Sequence, residues 1–437
     1  MNTNVFDFNI SCDGVTLCTE AIQSAIDTCA RSGGGVVTVP AGIYRTGTIW
    51  LRSNVELHLE HGAVIKGSDN LDDYNAEDAY PQNFSCREEG WLGKHLILAV
   101  ECENVAITGT GTVDGNGEAF LGDELELRSC YMWSCGGRRE KDKELLRPGQ
   151  LLCFVECRRV KVKDITITNQ PAWGCFLHGC EYVSVSGIKV FNPKNVFNTD
   201  GIDIDCCKNV TVSDCIIDTG DDGIAIRGAG SKLKRTSAVC EYVTVTNCIL
   251  GSSACGFRIG VGDGTIRHVR VSNVCITRCG AAIKFMSAYH GIGNTVIDDV
   301  YFSGISITKC SKPFELVEQS LNKATITNIL IENVNAEIYG FVEFNVQNTD
   351  TVKNIKLKNW RMKTYDGMKP FSDKCYEQQG TFWFRAENTH DLKLEDFSLY
   401  DEIGHLARWS DGTFSFKNCQ DLSFVNVTVN DKTIETI

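Results

Sequence analysis

Asn209-Val-Thr-Val-Ser-Asp214, Tyr242-Val-Thr-Val-Thr-Asn247 and His268-Val-Arg-Val-Ser-Asn273 repeat one phrase, and reading that phrase decides the fold. Two valines alternate with polar residues, the period of an extended strand that buries one face. Arg159-Val-Lys-Val-Lys-Asp164 and Tyr182-Val-Ser-Val-Ser-Gly187 carry it upstream, and weaker copies begin near Asp299, Asn328, Asn354, Asp391 and Asp421. Taking Val160, Val183, Val210, Val243, Val269, Val300, Ile329, Ile355, Leu392 and Leu422 as equivalent gives steps of about 23 to about 37 residues, the spread of a solenoid whose loops differ between turns. Recurring Gly, Asn and Asp supply the bends. The expectation is an all-β chain forming a right-handed parallel β-helix of about ten coils.

A second ladder lies inside each turn. Gly174-Cys-Phe-Leu-His178, Gly201-Ile-Asp-Ile-Asp205, Gly223-Ile-Ala-Ile-Arg227, Gly256-Phe-Arg-Ile-Gly260 and Ala282-Ile-Lys-Phe-Met286 align without gaps. With Ile202, Ile224, Phe257 and Ile283 inward, Asp203, Ala225, Arg258 and Lys284 form one outward row, and His178, Asp205, Arg227 and Gly260 form the next. Rungs of a parallel sheet lie about 4.8 Å apart, so residues distant in sequence become neighbours.

Towards the N-terminus the period changes. Thr19-Glu-Ala-Ile-Gln-Ser-Ala-Ile-Asp-Thr-Cys-Ala30 is apolar at helical spacing and ends before Gly33-Gly-Gly35, which predicts an amphipathic helix capping the first coil within a cap of about residues 1–50. No composition break divides the rest of the chain, so 1–437 is read as a single domain with coils from about 51 to 437.

A formal charge of -13 gives no support for a nucleic-acid or anionic-membrane partner. It allows an anionic sugar polymer where the groove is locally basic. Met1-Asn-Thr-Asn-Val-Phe-Asp-Phe8 has neither a basic n-region nor an apolar h-region, so a cytoplasmic location is expected unless a signal segment has been removed. The 22 Cys make no recognisable zinc spacing and are read as small core residues in a reducing compartment. No cofactor or metal is expected, and the oligomeric state is left open.

Two segments place charge where the repeat asks for apolar or turn residues: Asn198-Thr-Asp-Gly-Ile-Asp203 and Gly220-Asp-Asp-Gly-Ile-Ala225. Asp and Asn also fill turns. Asp200 and Asp222 each precede the aligned Gly, however, which stacks them on adjacent rungs with Asp221 one residue earlier. Carboxylates that close oppose joint ionisation, giving a proton donor beside an ionised base. Glycosidic hydrolysis needs such a pair, with either an activated water or a direct nucleophile.

These two motifs resemble those of the polygalacturonase family, glycoside hydrolase family 28. The segment Asp13-Gly-Val-Thr16 through Val39-Pro-Ala-Gly-Ile-Tyr-Arg-Thr-Gly-Thr48 resembles its N-terminal cap. The resemblance runs from about residue 8 to the last coils and implies the pectin-lyase-like solenoid. It also implies Asp221 as general acid, with Asp200 and Asp222 activating water so that the anomeric centre inverts. Where the family usually carries Gly-His-Gly and Arg-Ile-Lys, this chain has Ala254-Cys-Gly256 and Ala282-Ile-Lys284.

The expected function is hydrolysis, inverting and exo-acting, of a galacturonan, rhamnogalacturonan or related plant-derived oligosaccharide. Substrate contacts are expected from Asn198, His178, Arg227, Arg258, Lys284, Tyr289 and His290, with Arg258 and Lys284 holding a uronate carboxylate or else pairing with Asp203 and Asp205. Cys255 is read as a packing residue. Trp91, Trp173 and Trp383 are candidate sugar platforms. The alternatives are a lyase or epimerase on the same scaffold and a non-catalytic carbohydrate-binding relic.

Overall fold

The structure is a computed structural model that describes residues 2–83, 92–120, 147–194, 196, 198–230, 233–234, 238–288, 293–365, 382–402, 404 and 412–434. It comprises two compact units, Met1–Asp221 with Gly230–Ser237 and Asp222–Ala229 with Ala238–Ile437.

In the first unit, from Gly35–Val39 onward, strands pair in parallel with the strand three further on. Leu152–Val155 pairs with Cys175–His178, which pairs with Ile202–Asp205. Arg158–Lys163, Glu181–Ser186 and Lys208–Ser213 form a second ladder, and Thr166–Thr168, Lys189–Phe191 and Ile216–Thr219 a third. Each circuit of the chain therefore contributes three strands to three parallel sheets, a parallel β-helix. Val160, Val183 and Val210 are in register and buried, as the repeat predicts.

In the second unit the strands run longer: Thr265–Met286 pairs in parallel with Val296–Glu318. Val243, Val269, Val300, Ile329, Ile355 and Leu392 form one in-register buried row. Beside it, Phe314 packs tilted against Phe344 with ring centroids 5.1 Å apart, and Phe344 stacks on Phe384 at 5.7 Å. Rings repeated once per coil suit a solenoid because every copy meets its own kind.

The residue before the first apolar position of each repeat adopts left-handed backbone. Tyr182, Asn209, Tyr242, His268, Asn328 and Asn354 all have φ between 54° and 58°. Asn and His are enriched in that conformation, whereas Tyr does not adopt it readily. The rings of Tyr242 and His268 stack 5.0 Å apart, which offsets part of the cost.

The predicted helix is Thr19–Arg31, with Ile22, Ala25, Ile26 and Cys29 buried. Its Gln23 side chain imitates a strand, donating from Nε2 to the Trp50 carbonyl at 3.0 Å and accepting the Trp50 N–H at 2.8 Å. A polar side chain thus closes a strand edge that would otherwise template aggregation.

No disulfide joins the described cysteines. Cys102, Cys157, Cys180 and Cys207 recur at one corner of the first unit and do more than fill space. The Cys102 N–H donates to Cys157 Sγ at 3.4 Å and the Cys180 N–H to Cys207 Sγ at 3.2 Å. Cys157, Cys180 and Cys207 donate their thiols to the carbonyls of Ala99, Phe154 and Leu177 at 3.3–3.4 Å. Where the chain turns out of one sheet into the next, sulfur carries polar contacts between coils.

Candidate active site

In the first unit, Asp200 ends the turn that enters Ile202–Asp205. Its carbonyl accepts hydrogen bonds from Gln170 Nε2 at 2.7 Å and the Gly174 N–H at 2.8 Å, which fixes the backbone under a buried side chain. Thr199 Oγ1 donates to the Val196 carbonyl at 2.7 Å and accepts the Gly220 N–H at 3.1 Å, tying this turn to the one that carries Asp221. Gly220 is required there because a Cβ would stand 2.0 Å from the Val196 carbonyl oxygen.

Asn198, in left-handed conformation, donates its N–H to Asp221 Oδ2 at 3.0 Å. An oxygen of Asp200 and an oxygen of Asp221 lie within 4.8 Å of each other. The two are brought together by adjacent coils, as the alignment of their motifs predicts.

Sequence reasoning missed Arg147. It precedes the strand Leu152–Val155, outside every repeat, and its Nη2 donates to Asn198 Oδ1 at 3.2 Å. Burial pulls its guanidinium down to about 10, while the charges of Asp221 and Asp200 act in the opposite direction, so it stays cationic at neutral pH. A position outside the ladder leaves no periodic signal by which to find such a residue.

In the second unit, Asp222 opens the turn before Ile224–Gly228. The Cys255 N–H donates to its Oδ1 at 3.2 Å, Arg258 Nη2 donates to the same oxygen at 3.2 Å, and Arg258 Nε donates to Oδ2. Arg258 therefore grips both oxygens of one carboxylate. Arg258 and Lys284 are in register, as the aligned segments predict, and within this unit Arg258 forms an ion pair with Asp222 and Lys284 with Glu315. Lys284 Nζ lies 2.8 Å from Glu315 Oε2.

The outward rows are not open rows. His178 is buried with Nδ1 3.7 Å from Asp205 Oδ2, its ring stacked on Phe176 at 5.2 Å. Asp203, Asp205, Ala225 and Arg227 are buried as well. Facing away from the solenoid axis therefore does not by itself expose a side chain. Trp173 and Trp383 are correspondingly buried against Phe176 and against Phe397 and Phe414, so neither offers a sugar platform. Trp91, Tyr289 and His290 lie outside the described residues.

Cys255 packs with Ala254 and Ala281, as a packing residue should. Burial, and after it the charge of Asp222, pushes its thiol well above the ordinary range, which removes it as a nucleophile.

Solved structures share this architecture. An exopolygalacturonase from Thermotoga maritima superposes with a TM-score of 0.64 at 23% identity, covering 100% of this chain and 93% of its own. The family 28 exopolygalacturonase of Yersinia enterocolitica gives 0.65 at 18%, covering 99% and 79%. In sequence, the exo-poly-alpha-D-galacturonosidase of Dickeya chrysanthemi is 30% identical over 249 residues, which are 51% of this chain and 41% of that relative's length. Residues 29–379, which contain the turns of Asp200, Asp221 and Asp222, match the description of glycosyl hydrolases family 28, and the chain belongs to that family.

Proposed function

We propose that this family 28 hydrolase is an exo-acting, inverting enzyme on pectin-type oligosaccharides, with Asp221 as general acid and Asp200 and Asp222 activating the water. The observation that carries the reading is the approach of Asp200 and Asp221 to within 4.8 Å at the ends of two tied turns. Hydrolysis needs two carboxyl groups flanking one glycosidic bond, one to protonate the leaving oxygen and the other to act as base or nucleophile. The spacing alone does not favour inversion, since it is shorter than the roughly 6.5–9.5 Å of most inverting pairs. Inversion rests on the family resemblance, and the exo reading is supported by the name of the Dickeya relative.

The cation beside Asp200 and Asp221 suits an acidic sugar, since Arg147 stays charged there. The usual histidine and arginine positions of the family hold Cys255 and Ala282, both buried. We therefore include rhamnogalacturonan fragments beside galacturonan in the substrate class.

The test is product analysis on tri- and polygalacturonate, rhamnogalacturonan oligosaccharides and aryl glycosides, with the released anomer followed by NMR. The expected result is terminal sugar release as the inverted anomer, lowered at least 1000-fold, on the order of a lost general acid, in Asp221→Asn. Ultraviolet absorbance from an unsaturated uronate would replace hydrolysis with elimination. Binding without turnover across the panel would leave a carbohydrate-binding relic.

A further inference from the structure

We propose that Arg258 is a positioning residue for Asp222: its guanidinium fixes the plane of that carboxylate, and it is not the receptor for a substrate carboxylate. The inference rests on the catalytic reading of Asp222 given above and adds a component that the aspartate motifs do not contain.

The contacts of the guanidinium account for its orientation. Nε donates to Asp222 Oδ2 and Nη2 to Asp222 Oδ1, so two parallel bonds span the carboxylate. Nη2 also points at Cys255 Sγ at 3.7 Å, and Nη1 at Met286 Sδ at 3.8 Å. Only 14% of the Arg258 side chain is exposed, against 4% for Asp222. A sugar carboxylate could take the fork only by displacing Asp222 from it.

The neighbours explain why a guanidinium is needed. Cys255 donates its backbone N–H to Asp222, but its side chain is a buried neutral thiol, and the residue in register with it on the next rung is Ala281. Lys284, next to Arg258 in its own row, is held by Glu315. A single N–H leaves a carboxylate free to turn about its last side-chain bond, whereas a bidentate fork does not. Water can be aimed at a reacting carbon only by an oxygen whose lone pairs are held in place, and misplacement by about 1 Å costs on the order of 100-fold in rate.

The experiment compares Arg258→Ala, Arg258→Lys and the similarly sized Arg258→Met on acidic and methyl-esterified galacturonan oligosaccharides. A positioning role predicts a fall in kcat of about 100-fold with KM within about twofold. It also predicts partial recovery of kcat in Arg258→Ala by methylguanidinium at tens of millimolar, and none by methylammonium. Arg258→Lys remains impaired because an ammonium cannot span two oxygens. A rise in KM confined to the acidic substrates, with kcat retained, would make Arg258 a substrate receptor and overturn the proposal. Full kcat in Arg258→Met would overturn it equally.

A readout without turnover separates this proposal from the catalytic reading. In a thermal-melting cycle of Arg258→Met, Asp222→Asn and the double variant, the clamp predicts that the second substitution restores part of the Tm lost in the first. Additive losses would overturn the clamp even in a protein that hydrolyses every substrate. An inactive wild type with strong coupling would instead refute the hydrolase reading and leave the clamp standing.

Discussion

In the first unit the corner marked by Cys102, Cys157, Cys180 and Cys207 is closed by neutral thiols, whereas in the second the row Lys284, Glu315, Glu343 and Arg385 is built of charged side chains. Both features repeat once per coil, and the thiols lie away from water, as do Glu315 and Glu343 at the centre of the charged row. Their polar demands differ. The thiols accept and donate weak bonds to backbone, and burial keeps Cys157 and Cys180 protonated. The charged row sets two carboxylates, Glu315 and Glu343, on adjacent rungs. It holds together because Lys312 reaches between them, 2.5 Å from one and 2.6 Å from the other, with Lys284 and Arg385 at the ends.

The comparison teaches that a stacked fold multiplies whatever a position carries. Neutral repeats add contacts without cost, but like charges repeated on neighbouring rungs need a cation supplied from elsewhere. Lys312 is that cation. Its Nζ also lies 4.9 Å above the centre of the Phe341 ring, and it is in register not with the glutamates but with Ala281.

Removing the bridge should break the second region most severely. Lys312→Met leaves two buried carboxylates facing each other and is expected to cost about 3–5 kcal/mol in urea denaturation. A loss below about 1 kcal/mol would mean that the row stands without its central cation.

Acid should separate the two regions next. Burial raises the Glu315 carboxyl, but the ammonium groups of Lys284 and Lys312 outweigh it and hold the group at about 2. A carboxyl depressed below its unfolded value of about 4.3 stabilises the fold above that pH, and the contribution disappears as pH falls towards 2. The expected loss is about 3 kcal/mol between roughly pH 4.5 and 2. Stability profiles measured at several pH values should be visibly flatter in Glu315→Gln, and an unchanged slope would contradict this assignment.

The smallest effect belongs to the thiol corner. Cys157→Val keeps the side chain apolar but removes the partner of the Cys102 N–H and of the Ala99 carbonyl, an expected cost of about 1–2 kcal/mol with little dependence on acid pH. Cys157→Ser, which can still donate and accept, should lose less. Equal melting temperatures for the Val variant and the wild type would reduce the cysteines to packing residues.

Much of this architecture is legible in the amino-acid order. The alignment of Gly223-Ile-Ala-Ile-Arg227 with Gly256-Phe-Arg-Ile-Gly260 and Ala282-Ile-Lys-Phe-Met286 is the observed register of Ile224 with Phe257 and of Phe257 with Ile283. The helical spacing of Ile22, Ala25, Ile26 and Cys29 is likewise the observed buried face of the cap. The same periodicity places His178 and Arg227 facing outward, without the burial that hides them, and offers no means of finding Arg147.

What the amino-acid order alone determined is the period: which residues turn inward, which stack, and which aspartates fall on adjacent rungs. Periodicity follows from backbone geometry, which every coil obeys alike. Only the tertiary structure decided the partners, setting Arg258 on Asp222, Lys284 on Glu315 and Lys312 between two glutamates. A long charged side chain reaches several ångströms beyond its own rung, so its partner depends on where other coils and loops place theirs, and no local pattern records that.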